Sequence, residues 1–151
     1  MNALSVFAGV CLFFASALVG LWIKKRFVRK AAFYEEYYRY LVFACEKISY
    51  ERMPIAEIKA AFFKGEQTEF IRFLQGQAAS APLSDKELAE IGDYLSKIGT
   101  TDADTQVASL KGKCAELKRF SEEQCLKYKK DGALYFKLCV LFGVVAFILI
   151  V

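Results

Sequence analysis

Histidine is missing altogether from the 151 residues. Its absence removes Ser-His-Asp and Cys-His catalysis, together with every zinc site that needs an imidazole. Walker-type glycine loops, GxGxxG and the nucleophile elbow are missing too, so nothing marks the chain as an enzyme or calls for a cofactor or metal. Proline is scarce: only Pro54 and Pro82 occur, and little else interrupts a helix. No stretch alternates apolar and polar residues for long enough to make a strand, and the pattern reads as all-helical. Five cysteines are present, Cys11, Cys45, Cys114, Cys125 and Cys139, without a CxxC pair. Odd in number and scattered, they read as small apolar packing residues. Neighbouring carboxylates, Glu35-Glu36, Glu122-Glu123 and Asp102 near Asp104, point in different directions on a helix and read as solvated surface.

Charge is absent from both ends. All 38 charged side chains lie between Lys24 and Lys137, so apolar and charged residues are segregated along the chain. Ala3 to Ile23 runs 21 residues without a charge, enough at ~1.5 Å per residue to cross a hydrocarbon core of ~30 Å. The second apolar stretch, Leu138 to Val151, has only 14 residues. Counted from Ala133 it has 19 with the single Lys137, whose ammonium reaches the headgroups by snorkelling. Tyr135 and Phe136 suit the interface. A cleavable signal peptide with Ala15-Ser16-Ala17 as its processing site fits poorly, because the positive charge follows the apolar stretch instead of preceding it. A buried C-terminal core helix also fits poorly, since the tail is apolar on every face.

The net charge of +4 hides a partition. Lys24, Lys25, Arg26, Arg29 and Lys30 flank the first apolar segment, and Lys127, Lys129, Lys130 and Lys137 flank the second. Residues 31 to 126 carry 12 basic and 16 acidic side chains, a net of −4. A nucleic-acid binder needs its positive charge on the folded domain, so that class is set aside. Both basic clusters lie on the inner flank of their apolar segment, which by the positive-inside tendency predicts a cytoplasmic central domain with both termini outside. The expected organisation is an N-terminal transmembrane helix over 1–23, a cytoplasmic helical bundle with basic juxtamembrane flanks over 24–132, and a C-terminal transmembrane helix over 133–151.

Within the central domain the first helix continues from the membrane to about Ile48, with Phe33, Tyr37, Leu41, Ala44 and Ile48 on one face. Its tyrosines, Tyr34, Tyr37, Tyr38 and Tyr40, read as packing residues whose hydroxyls reach water. Pro54 is expected at the first position of a second helix that Gly65 ends. A short third helix carries Phe70, Phe73 and Leu74, and QGQAASAP follows as a loop. Ser84 and Glu87 form an S-x-x-E capping box at the start of a fourth helix, with Leu83 and Leu88 placed as a hydrophobic staple. Gly99 is placed to close that helix in the left-handed conformation. Thr101 with Asp104 offers a second capping pair. The fifth helix has Val107, Leu110, Cys114 and Leu117 at heptad-like spacing, and Gly132 offers a bend before the final apolar stretch. Such amphipathic segments with short connections predict an antiparallel bundle.

The order of these features resembles the stage III sporulation protein AB family of endospore-forming bacteria, itself similar to the type II secretion system F domain. The resemblance rests on ISYERMPIAEI, on LSDKELAEIGDYLSKIGTTDADTQ with Gly99, Thr101, Asp102 and Gln106, and on KKDGALYFKLCVLFGVVAFILIV. It implies an F-domain-like bundle in the mother cell membrane around the forespore, belonging to a secretion-like mother cell–forespore channel. It further implies that the protein is a platform that docks a cytoplasmic ATPase, stage III sporulation protein AA. Other stage III sporulation A proteins and, indirectly, stage II sporulation protein Q would belong to the wider assembly, in which a homo-oligomer is one allowed arrangement. The competing reading is a membrane-tethered helical regulator or sensor unrelated to secretion, with a ligand site at Tyr34, Tyr37 and Tyr38 or in the loop 76–82. An intramembrane transporter subunit lacks support, because neither apolar segment carries an ionisable residue near its middle.

Overall fold

The computed structural model describes residues 3–63, 67–77 and 82–150, and among them there is no strand. Among the described residues six α-helices follow one another: α1 (Ala3–Glu46), α2 (Ile55–Phe62), α3 (Glu69–Leu74), α4 (Asp85–Lys97), α5 (Ala103–Phe120) and α6 (Leu126–Ile150). Wider π-helical turns extend α1 over Lys47–Glu51 and join α5 to α6 over Ser121–Cys125. Gly132 sits inside α6, and the change of helical winding before it falls at Ser121–Cys125. Among the described residues two helical runs are long and apolar enough to cross a membrane, with only 11% and 6% of their apolar windows buried. Such exposure is the opposite of what a core helix of a water-soluble domain shows.

The chain forms two compact units, one of Met1–Arg29 with Leu126–Val151 and one of Lys30–Cys125. In the first, Gly20, Gly132 and Gly143 mark where α1 and α6 touch. A Cβ at Gly143 would meet Phe13 and Ser16, one at Gly20 would meet Cys139 and Phe136, and one at Gly132 would meet Phe27 and Lys24. The partners fall in number as the glycines rise, so the two apolar segments run antiparallel. Small residues let backbones approach closely, which is how helices associate in lipid, where apolar side chains gain nothing by leaving their surroundings. Ser16 Oγ adds a hydrogen bond to the Cys139 carbonyl. Other large side chains point outward: Phe7 is 71% exposed and Phe142 72%.

The second unit is built around Phe70 of α3, which is fully buried. Rings of Phe33, Tyr37 and Tyr40 from α1 stand 5.3, 5.5 and 5.7 Å from it. Ala44, Leu41 and Ile48 continue the buried face of α1, and Ile58, Ile91, Leu95, Leu110 and Leu117 close the core from the other helices. Burying such side chains is worth roughly 1.5–3 kcal/mol each.

Local start and stop signals fix the connections. Arg52, at φ 47°, ends the π-helical turn with its N–H on the Lys47 carbonyl. Pro54 then stands one position earlier than expected, as the N-cap of α2, where its carbonyl accepts from Glu57 and Ile58 N–H at 3.0 and 3.1 Å. Proline has no N–H to donate, so either position suits it. Thr68 caps α3 by accepting from the Ile71 N–H. Gly99 takes φ +97° beyond the end of α4, beside Ile55. Gly65, expected to end α2, and residues 78–81 of the expected loop lie outside the described residues.

Candidate functional site

The capping box does more than start α4. Ser84 N–H and Oγ both donate to Glu87 Oε2, at 3.0 and 2.9 Å, and the Glu87 N–H donates to Ser84 Oγ at 3.4 Å. The same carboxylate reaches across to α1, where Tyr34 OH donates to Oε1 at 3.0 Å and Lys30 Nζ sits 2.8 Å from Oε1. Burial pushes the Glu87 carboxyl up, but the bonds from Lys30, Ser84 and Tyr34 outweigh it and hold the group down at about 2. Lys30, grouped by sequence with the membrane flank, is therefore committed to α4.

Beyond Glu87 the facing surfaces of α1, α4 and α5 leave a cavity of about 190 Å³. Tyr34 and Tyr37 line it from α1, Glu87, Glu90, Ile91 and Tyr94 from α4, and Lys113, Glu116, Leu117 and Phe120 from α5. Tyr37 is only 1% exposed, and its hydroxyl has no hydrogen-bond partner among the described residues. The expectation that this hydroxyl reaches water is thus corrected: helical spacing turns Tyr37 squarely onto Phe70, and the ring carries the O–H inside. Its pKa is raised, first by burial and then by the neighbouring Tyr94, Glu116 and Cys114. Lys113 Nζ pairs with Glu116 at 2.9 Å and lies 5.7 Å from the centre of the Tyr94 ring. Tyr38, expected beside Tyr34 and Tyr37, does not line this cavity.

The second capping pair is corrected. The N-cap of α5 is Asp102, whose Oδ2 accepts from the Thr105 N–H at 3.0 Å, so Thr101 stands outside the helix and Asp104 in its first turn. A carboxylate is favoured over a hydroxyl here because it also faces the positive end of the helix dipole. The Thr105 N–H holds the Asp102 carboxyl below its ordinary value.

In the unit of the two apolar segments, an open apolar groove of about 680 Å³ runs between α1 and α6 past Ser16, Val19, Leu138 and Phe142. Above it, Lys24 Nζ lies 5.6 Å from the Phe136 ring centre and Arg26 stands 6.0 Å from that of Trp22. Arg29 belongs to this unit as well, and with Lys25, Lys127, Lys129, Lys130 and Lys137 its side chain is exposed. None of the five cysteines is in a disulfide. Burial, with the nearby Cys45, pushes the Cys114 thiol up to about 11, which keeps it protonated and unreactive at neutral pH. Among the described residues no group of three or more metal-ligating side chains comes together.

Three features of these sites escaped the sequence reading. The 11-residue spacing of Gly132 and Gly143, three helical turns, was a legible sign of a packing face. The second use of Glu87 and the burial of the Tyr37 hydroxyl depend on how helices distant in sequence pack, and no local pattern carries them.

A family model described as stage III sporulation protein AB matches residues 68–151, from just before α3 to the end of the chain. No curated protein and no solved structure matches.

Proposed function

From the chain's membership of the stage III sporulation protein AB family, to which it belongs and which places it in stage III of sporulation, we propose that it is a membrane platform of the mother cell–forespore channel. In this reading the central region, 24–132, is a cytoplasmic F-domain-like antiparallel bundle, held to the mother cell membrane by transmembrane helices over 1–23 and 133–151. It docks the cytoplasmic ATPase, stage III sporulation protein AA, to the other stage III sporulation A proteins and, through them, to stage II sporulation protein Q.

The observation that carries the reading is the extent of the family match, which covers α3 to α5 of the helical unit together with the apolar α6. Physical chemistry supports the same arrangement. Two apolar segments that pack through glycine and expose their large side chains need lipid around them, and a net negative helical unit tethered at both ends suits a protein contact near a membrane. The basic residues on both inner flanks favour the cytoplasmic side.

Co-purification of the ATPase with the full-length protein from lipid nanodiscs tests the docking; no retention of the ATPase would sink it. Labelling of single cysteines introduced near residue 75 tests the topology, with reactivity expected only from the cytoplasmic side. The regulator reading predicts a small-molecule site at Tyr34, Tyr37 and Tyr38. The cavity found there, at about 190 Å³, falls below the roughly 300–1,000 Å³ of small-molecule sites and excludes Tyr38.

A further inference from the structure

The cavity between α1, α4 and α5 has a chemistry of its own. Its lining holds three carboxylates, Glu87, Glu90 and Glu116, against the single ammonium of Lys113. Glu87 is paired with Lys30 and Glu116 with Lys113, whereas Glu90 has no hydrogen bond or ion pair among the described residues. One negative charge is left over. Glu90 and Glu116 are exposed and form an acidic mouth, and the hydroxyl of Tyr37 lies behind them, buried and without a partner. A buried hydroxyl left unpaired costs stability, so a site that keeps one is arranged for a donor that is not part of the fold.

The rings say which kind of donor. Tyr94 already carries the Lys113 ammonium at 5.7 Å from its centre, and Tyr34 and Phe120 stand 4.7 Å apart on the facing wall. Aromatic faces combined with carboxylates attract cations. The volume of about 190 Å³ holds one long side chain. A guanidinium is planar, stacks on rings and presents five N–H donors. Its donors are spread over three nitrogens and so span acceptors further apart than the three N–H of a single ammonium nitrogen do, which suits Tyr37 OH, Glu90 and Glu116 on three different helices.

We propose that this cavity is the socket for a single arginine side chain presented by a protein partner of the helical unit, with Glu90 and Glu116 as counter-charges and Tyr37 OH as the acceptor at its floor. Lys113 is the resident cation that gives way when the arginine enters. The identity of the partner rests on the platform reading above; the cation chemistry of the socket does not.

The test uses full-length protein in lipid nanodiscs. N-acetyl-L-arginine methylamide is titrated in and followed by NMR on the methyl groups of Ile91 and Leu117, which line the cavity. Saturable shifts are expected, with none from the neutral isostere N-acetyl-L-citrulline methylamide. Glu90→Gln combined with Glu116→Gln should weaken binding at least tenfold, and Tyr37→Phe about threefold. Lys113→Met should strengthen it about threefold, because the competing cation is gone; a site for an anion would be weakened by that same change. Absence of a saturable shift, equal shifts from the citrulline probe, weaker binding in Lys113→Met, or tighter binding of free spermidine than of the arginine probe would each overturn the proposal.

A second arm measures capture of the ATPase. The Glu90→Gln/Glu116→Gln variant should lose at least tenfold in affinity, while a charge-matched control, Glu57→Gln with Glu123→Gln, should not. Unchanged capture by the first variant overturns the arginine socket and leaves the platform standing. No capture by the unaltered protein overturns the platform, and the probe titration still decides the socket.

Discussion

The two units of this chain use opposite residues for the same purpose. In the unit of the apolar segments, glycine and serine sit between the helices with Phe13, Phe27 and Phe136 resting on the glycines, while Phe7, Phe14 and Phe142 face out; in the helical unit, phenylalanine and tyrosine fill the centre and charged residues face out. The difference is the one expected if the first unit meets lipid and the second meets water. In water, burying a large ring is the main source of stability, so rings go inside. In lipid that gain vanishes, and what remains is close backbone contact and the hydrogen bonds it allows. One polypeptide thus follows two packing rules, and substitutions that are equivalent on paper should have different effects in its two parts.

The largest contrast is between two phenylalanines. Phe70, fully buried among Phe33, Tyr37 and Tyr40, should cost about 3–5 kcal/mol when replaced by alanine. Phe142, 72% exposed, should cost almost nothing in nanodiscs when replaced the same way. Thermal unfolding of each full-length variant, followed by tyrosine fluorescence, checks the pair. Equal effects would mean that Phe142 faces protein and not lipid.

Glycine to alanine should reverse its sign between the units. At Gly20 a Cβ would stand 2.9 Å from the Cys139 Cβ, which is part of the neighbouring helix wall and not a flexible side-chain end. Gly20→Ala should therefore weaken the helix pair by roughly 1–3 kcal/mol, the usual cost of overpacking. At Gly112, on α5, a Cβ would meet nothing within 4 Å, and Gly112→Ala should stabilise by about 1 kcal/mol through helix propensity alone. Titration of the nanodisc-extracted protein with a denaturing detergent, read by energy transfer between labels on α1 and α6, measures the first. Chemical unfolding of the helical unit measures the second.

Much of this division was legible in the sequence. The confinement of charge to residues between Lys24 and Lys137 marks the two apolar segments, and the spacing of Phe33, Tyr37, Leu41, Ala44 and Ile48 marks the buried face of α1. The boundary between the units was less so. Charge bounds the apolar stretches at Ile23 and Leu138, whereas the packed units divide after Arg29 and before Leu126. Hydropathy reports where a helix leaves lipid, and Gly132, resting on Lys24 and Phe27, keeps the pair together beyond that point. Similarly, S-x-x-E at Ser84 announced a helix start, but the Lys30 and Tyr34 bonds to Glu87 join residues more than 50 positions apart, a separation at which no local pattern speaks.

Glu87 gives the helical unit a dependence on acid. Its carboxyl is held at about 2 against an ordinary 4.5, so folding favours the charged form. The resulting stability is complete above pH 4.5 and shrinks as the pH falls through the interval towards 2. Glu87→Gln should therefore lower the melting temperature at pH 7 by the equivalent of about 1–2 kcal/mol, in the range of a lost cap with a partly buried ion pair. The gap between variant and parent should narrow steadily below pH 4.5. A gap constant across that range would show that Glu87 acts through shape and not through charge.

The smallest effect has the opposite sign. Removing the hydroxyl of Tyr37 takes away a buried polar group that pairs with nothing and leaves its ring against Phe70, so Tyr37→Phe should leave stability unchanged or raise it by up to about 1 kcal/mol. The same deletion at Tyr34, whose hydroxyl donates to Glu87, should lower it by about 1 kcal/mol. Both rings lie on α1, three residues apart, so helix propensity and ring burial nearly cancel in the comparison and the hydroxyl alone is tested. If chemical unfolding finds Tyr37→Phe destabilising, its hydroxyl is satisfied within the folded chain, and an arginine would have no vacant acceptor to reach.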